Sequence, residues 1–202
     1  MHLEFSFDDG HKMDLYIGRL LKKHGFRGMF YIPTLRHPID GLDEDEIKTL
    51  AKDHDIGFHS YSHPSDLKDS KDIEMEVTKG KDKLEKLIGR KITSFCYPKG
   101  RYNEEVIEAL KRHGYTEGRT VDVGKIENCF EPFRKPTTMH FRPDKKEWNG
   151  FEWLPMAKNL FLEAQMLEER GYFHAWGHAS ELNKFRIWRE FDELLAFMEE
   201  NL

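Results

Sequence analysis

The strongest constraint on the fold of this chain is a regular alternation of short apolar runs with longer amphipathic stretches. Runs at 3–7, 28–32, 55–59, 92–97, 117–121, 137–141 and 172–177 read as strands. Between and after them, 12–24, 44–53, 72–89, 103–113, 151–170 and 184–201 carry helical periodicity. A helix between successive strands returns the chain to the same end of the sheet, so the strands are expected to pair in parallel. Roughly seven such units predict an α/β fold, either a barrel or a doubly wound sheet. Punctuation agrees. Asp72 stands where a helix N-cap belongs, with Glu74 and Glu76 in the first turn, and Gly25, Gly89, Gly114 and Gly171 stand at expected helix ends. Residues 122–150, with Pro132, Pro136 and Pro143, predict a long surface loop around one short strand. No repeat or low-complexity linker interrupts the 202 residues, so 1–202 is expected to be a single domain.

Period-2 phasing narrows the choice. Leu3, Phe5 and Phe7 share one face of the first strand, with Glu4, Ser6 and Asp8 on the other. Ile56 and Phe58 oppose Asp55, Gly57 and His59; Phe173 and Ala175 oppose His174, Trp176 and His178. Each time the chemically useful residue is in phase with the smaller or more polar face. Apolar residues would then face surrounding helices while Asp8, His59 and His178 converge at the strand ends, as a barrel requires.

Composition excludes some partners. The net charge is −5 and no Lys/Arg block stands out, against a nucleic-acid partner. No run of about 18 apolar residues predicts a membrane span. Met1 leads almost directly into the first strand, so a cytoplasmic protein is expected; a chain already trimmed of a leader would read the same. Cys96 and Cys129 are too few for a disulfide framework and are expected as free thiols, one of them buried.

Four fragments carry chemistry. Asp8-Asp9-Gly10 after a strand is by itself a turn. As a site it offers one carboxylate for a metal and a second to take a proton from water. His59 and His63 follow a strand and precede Pro64, which places them in a strand-end loop rather than on a helix. Two histidines and one aspartate leave coordination positions open, as hydrolytic zinc requires, and the same set suits non-haem iron(II). Tyr97-Pro98-Lys99-Gly100 is a rigid turn that could aim a backbone N–H into a site, with Asn103 capping the following helix. Trp176-Gly177-His178 ends the last strand, where His178 could act as a general acid.

In this order the fragments resemble the polysaccharide deacetylase family with its NodB homology domain. Phe7-Asp8-Asp9-Gly10 is similar to the first family motif, His59-Ser60-Tyr61-Ser62-His63 to the second, Tyr97-Pro98-Lys99-Gly100 to the third, and His178 to the last. The resemblance implies a distorted (β/α)7 barrel, related to the TIM barrel but one unit short. It implies Asp8 as general base and Asp9, His59 and His63 as ligands of a divalent metal: zinc foremost, with cobalt, nickel, manganese or iron as other candidates. It also implies that the oxyanion lies on the metal and on the Lys99 N–H, and that His178 protonates the departing amine. Two departures follow. Cys96 stands where many members have the arginine that holds the base, so Arg119 or Arg101 is expected to replace it. The family's Asp-Trp motif is not visible, leaving Asp122 or Asp144 to orient His178. His140 and Trp176 are candidates for the pocket wall. Trp148, Trp153 and Trp188 could stack on sugars, although Trp153 and Trp188 read better as helix packing. His24, His54 and His113 read as solvated.

The expected activity is metal-dependent removal of an N-acyl group, acetyl first, from a carbohydrate amide. The alternatives are hydrolysis of a small non-sugar amide, imide or ureide on the same barrel, a non-catalytic sugar- or metal-binding module, and iron(II) oxygen chemistry. The expected partner is the N-acylated sugar or small amide; oligomeric state is not legible in the sequence.

Overall fold

The computed structural model describes residues 1–35, 40–144 and 152–202. Its strands are β1 (His2–Asp8), β2 (Met29–Ile32), β3 (Asp55–Phe58), β4 (Ser94–Cys96), β5 (Glu117–Arg119), β6 (Met139–His140) and β7 (Tyr172–Gly177). They form one sheet in the order β5-β4-β3-β2-β1-β7-β6, and every pair is parallel. The sheet curls into a distorted barrel. Its two edges meet irregularly: Lys135, ahead of β6, forms a parallel bridge with Arg119, donating to the Gly118 carbonyl at 3.0 Å and accepting from Thr120 N–H at 2.8 Å.

Among the described residues eight α-helices surround the sheet: α1 (Asp14–Lys23), α2 (Glu44–Ala51), α3 (Ile73–Thr78), α4 (Lys81–Ile88), α5 (Glu104–Arg112), α6 (Trp153–Met166), α7 (Ala179–Phe185) and α8 (Trp188–Glu200). Two stretches expected as single helices are broken. The 72–89 segment divides at Lys79–Gly80: Lys79 turns extended after α3, Gly80 takes φ +89° ahead of α4, and a side chain on Gly80 would strike Thr34. The last helical stretch begins earlier than expected, at Ala179, and breaks where Arg186 turns left-handed at φ +56°. The 151–170 stretch shortens to α6 followed by a 3₁₀ turn at Glu168–Arg170. Among the described residues, no helix is long and apolar enough to cross a membrane.

The phasing divides the molecule into two environments. Phe5, Phe7, Phe30, Phe58, Phe95 and Phe173 point outward and are buried against the helices. The opposite face fills the barrel with polar side chains: Ser6, Ser94, Arg119 and His174 are also buried. They bond to one another, His174 to Ser6 Oγ at 2.7 Å, Tyr31 OH to Ser94 Oγ at 2.7 Å, and Ser94 Oγ to Glu117 at 2.6 Å. Lys135 bridges Glu4 and Glu117 at 2.6 and 2.8 Å, tying the irregular seam to the interior. His24 and His54 are buried rather than solvated: His24 lies between Asp192 and Glu199, and His54 bonds the Gly18 carbonyl. Cys96 is buried and Cys129 exposed, both free.

The Tyr31 ring fits inside so narrow a barrel because a glycine, Gly57, stands beside it. A Cβ on Gly57 would lie 2.4 Å from the Tyr31 ring. Gly57→Val should therefore overpack the interior and cost about 1–3 kcal/mol, read as a lower urea midpoint with an unchanged slope.

Candidate metal and acid–base site

The register of the central strands brings the chain ends together. β1 and β7 pair residue for residue, from His2 with Tyr172 to Phe7 with Gly177. The next residues are Asp8 and His178. β3 lies two strands away on the other side, and His59 follows its last residue. Side chains distant in sequence thus share the C-terminal end of the sheet.

The loops leaving these strands are locally constrained. Asp9, Ser60, His63 and Lys99 adopt φ between +51° and +76°. They are four of the six non-glycine residues with positive φ among those described, and each conformation costs of order 1–3 kcal/mol. Hydrogen bonds hold them. Ser60 Oγ accepts from His63 N–H at 2.9 Å. Glu76 of α3 accepts from Ser62 N–H and Oγ at 2.9 and 2.6 Å and is itself buried. Glu76 had no signal in the sequence beyond its place in a first helical turn.

The result is a three-residue ligand set. Asp9 Oδ1 lies 3.7 Å from His59 Nε2 and 3.5 Å from His63 Nε2. Ligand atoms bound about 2.1 Å from a tetrahedral zinc stand about 3.4 Å apart, close to both Asp9–histidine separations, so the triad has the chemistry and spacing to hold a divalent ion. The tautomer fits as well. His59 Nδ1 bonds the Cys96 carbonyl at 2.9 Å, so Nδ1 carries the proton and Nε2 keeps its lone pair. Burial foremost lowers the His59 pKa to about 4, keeping the ring neutral. His178 Nε2 faces the other oxygen of Asp9, at 3.8 Å, and stands outside this ligand set.

Asp8 sits beside the triad with a different environment. It is buried and pairs with Arg119, which is also buried, while the Cys96 thiol donates to its second oxygen at 3.5 Å. Burial works against the carboxylate, but Arg119, then His59 and His178, outweigh it and lower the pKa to about 2. The positive charge therefore comes from β5, and Cys96 adds a weak donor at the expected arginine position. Arg101 instead pairs with Asp66 on the surface.

His178 is held from its own helix. Its Nδ1 bonds Glu181 Oε2 at 2.7 Å, three residues on in α7. Burial disfavours its imidazolium, but the Glu181 hydrogen bond and the charges of Asp8, Glu181 and Asp9 raise its pKa to about 9. The two aspartates expected in this role are engaged elsewhere, Asp122 with Thr120 Oγ1 and Asp144 with Arg142. The signal for Glu181 was the i, i+3 spacing of His178 and Glu181 at a helix start.

The remaining candidates lie around this centre. Lys99 occupies the constrained turn after Pro98, ahead of Gly100. Tyr97 lies on the outer face of the sheet with Phe95, stacking on Tyr102 at 4.2 Å and donating to the Phe133 carbonyl. Trp176 and His140 are buried, stacked on each other with centroids 3.9 Å apart, rather than forming an open wall. Trp153 packs edge-on against Phe141, Trp188 packs against Tyr16, and Trp148 lies outside the described residues. Asp14, at the start of α1, is buried with no hydrogen-bond partner for either carboxylate oxygen among the described residues. Burial raises its pKa well above the usual carboxylate range.

Removing one partner of the buried Asp8–Arg119 pair would strand the other. Arg119→Ala should cost about 3–5 kcal/mol of unfolding free energy. Combined with Asp8→Ala it should cost less than the sum of the two single changes, which a double-mutant cycle in urea measures.

The sequence pattern of the polysaccharide deacetylase family matches residues 2–118. Over 80 residues, 37% of this chain and 28% of the relative, the chain is 35% identical to a Wigglesworthia glossinidia brevipalpis protein named as a probable 4-deoxy-4-formamido-L-arabinose-phosphoundecaprenol deformylase. Among solved structures it resembles a Mycobacterium smegmatis protein assigned to the polysaccharide deacetylases, with a TM-score of 0.65 and 17% identity over 98% of this chain and 83% of that one. It also resembles a carbohydrate esterase family 4 pseudoenzyme of Bacillus anthracis, with a TM-score of 0.58 and 17% identity over 99% of this chain and 61% of that one. At these identities the structural likeness is one of fold. The chain spans half or less of the length of the curated relatives it matches.

Proposed function

Because the chain belongs to the polysaccharide deacetylase family, we propose that it is a metal-dependent hydrolase that removes an N-acyl group, acetyl first, from a carbohydrate amine. One observation carries the reading. Asp9 has two imidazoles against one oxygen and a third against the other, and the adjacent Asp8 is a buried, ionised carboxylate. Candidates for ligands, base and acid thus stand together, which favours turnover over a binding-only role such as that of a pseudoenzyme relative.

Asp9, His59 and His63 would hold the ion. A divalent metal there, zinc foremost, would supply Lewis acidity toward water and the acyl carbonyl. Asp8 accepts a proton from the attacking water as its oxygen bonds to the acyl carbon. The Lys99 N–H, by its place in the turn, is a donor for the developing oxyanion. His178 gives its proton to nitrogen as the carbon–nitrogen bond breaks, leaving a carboxylate and a free amine. An amine anion is too basic to depart unprotonated, so this transfer matters as much as the attack. The deformylase relative makes N-formyl sugars the second acyl class to test.

The test is a panel of N-acetyl and N-formyl sugars and small amides, assayed after chelation and after zinc is restored. Turnover of the sugars only with metal is the expected result. Metal bound without hydrolysis of any substrate would leave a binding module, and preference for small amides would replace the sugar reading. Asp8→Asn should lower kcat about 10²–10⁴-fold while metal analysis finds the ion retained, and His63→Ala should lose the ion.

The pH profile has a definite sign. His178 carries its proton up to about pH 9, so kcat/KM should fall above that value. Asp8 stays ionised down to about pH 2, so the acid limb should instead track protonation of ligand histidines such as His59, near pH 4, with loss of metal.

A further inference from the structure

We propose that His140 is a positioning residue for the acid side of the site, acting through Glu181 to hold His178 in one tautomer and orientation. The inference rests on the reading of His178 as the proton donor to the departing amine. That donor must carry its proton on Nε2, the nitrogen 3.8 Å from Asp9, with Nδ1 engaged by an acceptor. Glu181 is the acceptor, but a glutamate side chain has three rotatable bonds and does not orient itself.

Its second partner is what orients it. Glu181 Oε2 bonds both His178 Nδ1 and His140 Nε2, each at 2.7 Å, so one oxygen is shared by two imidazoles. Arg142 reaches the other oxygen at 3.4 Å. His140 is rigid enough for this role. It is buried on β6, and its ring stacks on Trp176 at 3.9 Å and 18°. Trp176 in turn lies under the Arg119 guanidinium, 4.6 Å from Cζ, and Arg119 holds Asp8. The supports of the base and of the acid therefore meet at one indole. Without the His140 donor, Glu181 keeps Arg142 on its other oxygen and is free to rotate away from His178.

A residue that merely filled space would affect all substrates alike. A residue that positions the acid matters only where the leaving group needs a proton. The experiment compares the zinc-loaded enzyme on the N-acyl sugar it hydrolyses best and on 4-nitrophenyl acetate, whose phenolate departs unprotonated. His140→Phe keeps a ring against Trp176 and removes the donor. It should lower kcat on the amide about 10–100-fold, with KM little changed, and affect the ester far less. His140→Gln, which still presents an N–H to Glu181, should recover most of the loss. His140→Asn, one methylene shorter, should show the same selective loss if the phenylalanine variant does not fold. Nitrogen NMR of the His178 ring should report a hydrogen-bonded Nδ1 in the wild type and a shifted, averaged Nδ1 signal in His140→Phe. Equal losses on both substrates, no loss on either, or an unchanged His178 signal would overturn the proposal. A wild-type enzyme inactive on both substrates would overturn the hydrolase reading itself, and this inference with it.

Discussion

The ion pair between Asp8 and Arg119 is the interaction on which the rest of the structure depends. Both side chains are buried inside the barrel. A carboxylate so enclosed must be paired or give up its charge. Arg119 keeps it charged, and in doing so decides what else the interior can hold. A guanidinium in a barrel that narrow needs flat surfaces and hydrogen-bond acceptors, and it lies over Tyr31 and Trp176 and against the Thr120 carbonyl. Below it the polar filling continues through Ser94, Glu117, Lys135, Glu4 and His174. Closed eight-stranded barrels commonly fill this space with branched apolar side chains. Here the apolar core lies wholly between sheet and helices, and the interior is a hydrogen-bonded scaffold for the site above it.

That division explains the shape of the rim. The strands are short, and the side chains of the site stand at or just beyond their ends, beside turns of left-handed backbone at Asp9, Ser60, His63 and Lys99. Such turns persist only where neighbouring contacts over-determine them. Ser60 and Glu76 do this for the histidine loop, and the Tyr97–Gly100 turn is anchored by the buried Tyr97. The adjacent aspartates show the outcome most clearly. They are neighbours in sequence, yet one is a buried carboxylate paired with arginine while the other, at φ +76°, faces three imidazoles. The left-handed turn after the strand separates their environments.

Much of this was legible in the chain. Strand phasing placed Asp8, His59 and His178 on one interior, and periodicity marked seven strands and most of the helices. The breaks at Gly80 and Arg186 were not visible, because amphipathic patterning runs through both and only packing interrupts it. Burial of His24 and His54 was also missed, since nothing in their neighbours in sequence reveals the carboxylates and carbonyls that satisfy them. Expecting Asp122 or Asp144 beside His178 erred for the same reason, as both found nearer partners.

The sequence by itself determined the parallel α/β arrangement and which residue types gather at the candidate site, because both are written in local terms: a period of two or 3.6, and a few residue types at fixed spacing. The partners of those residues were decided only by tertiary structure. Arg119 reaches Asp8 because β5 curls around to the same interior as β1, and Glu181 reaches His178 and His140 together because α7 starts at the rim between β6 and β7. Charge pairing acts through space over a few ångströms, and which side chains come that close depends on strand register and barrel curvature, which no local pattern specifies.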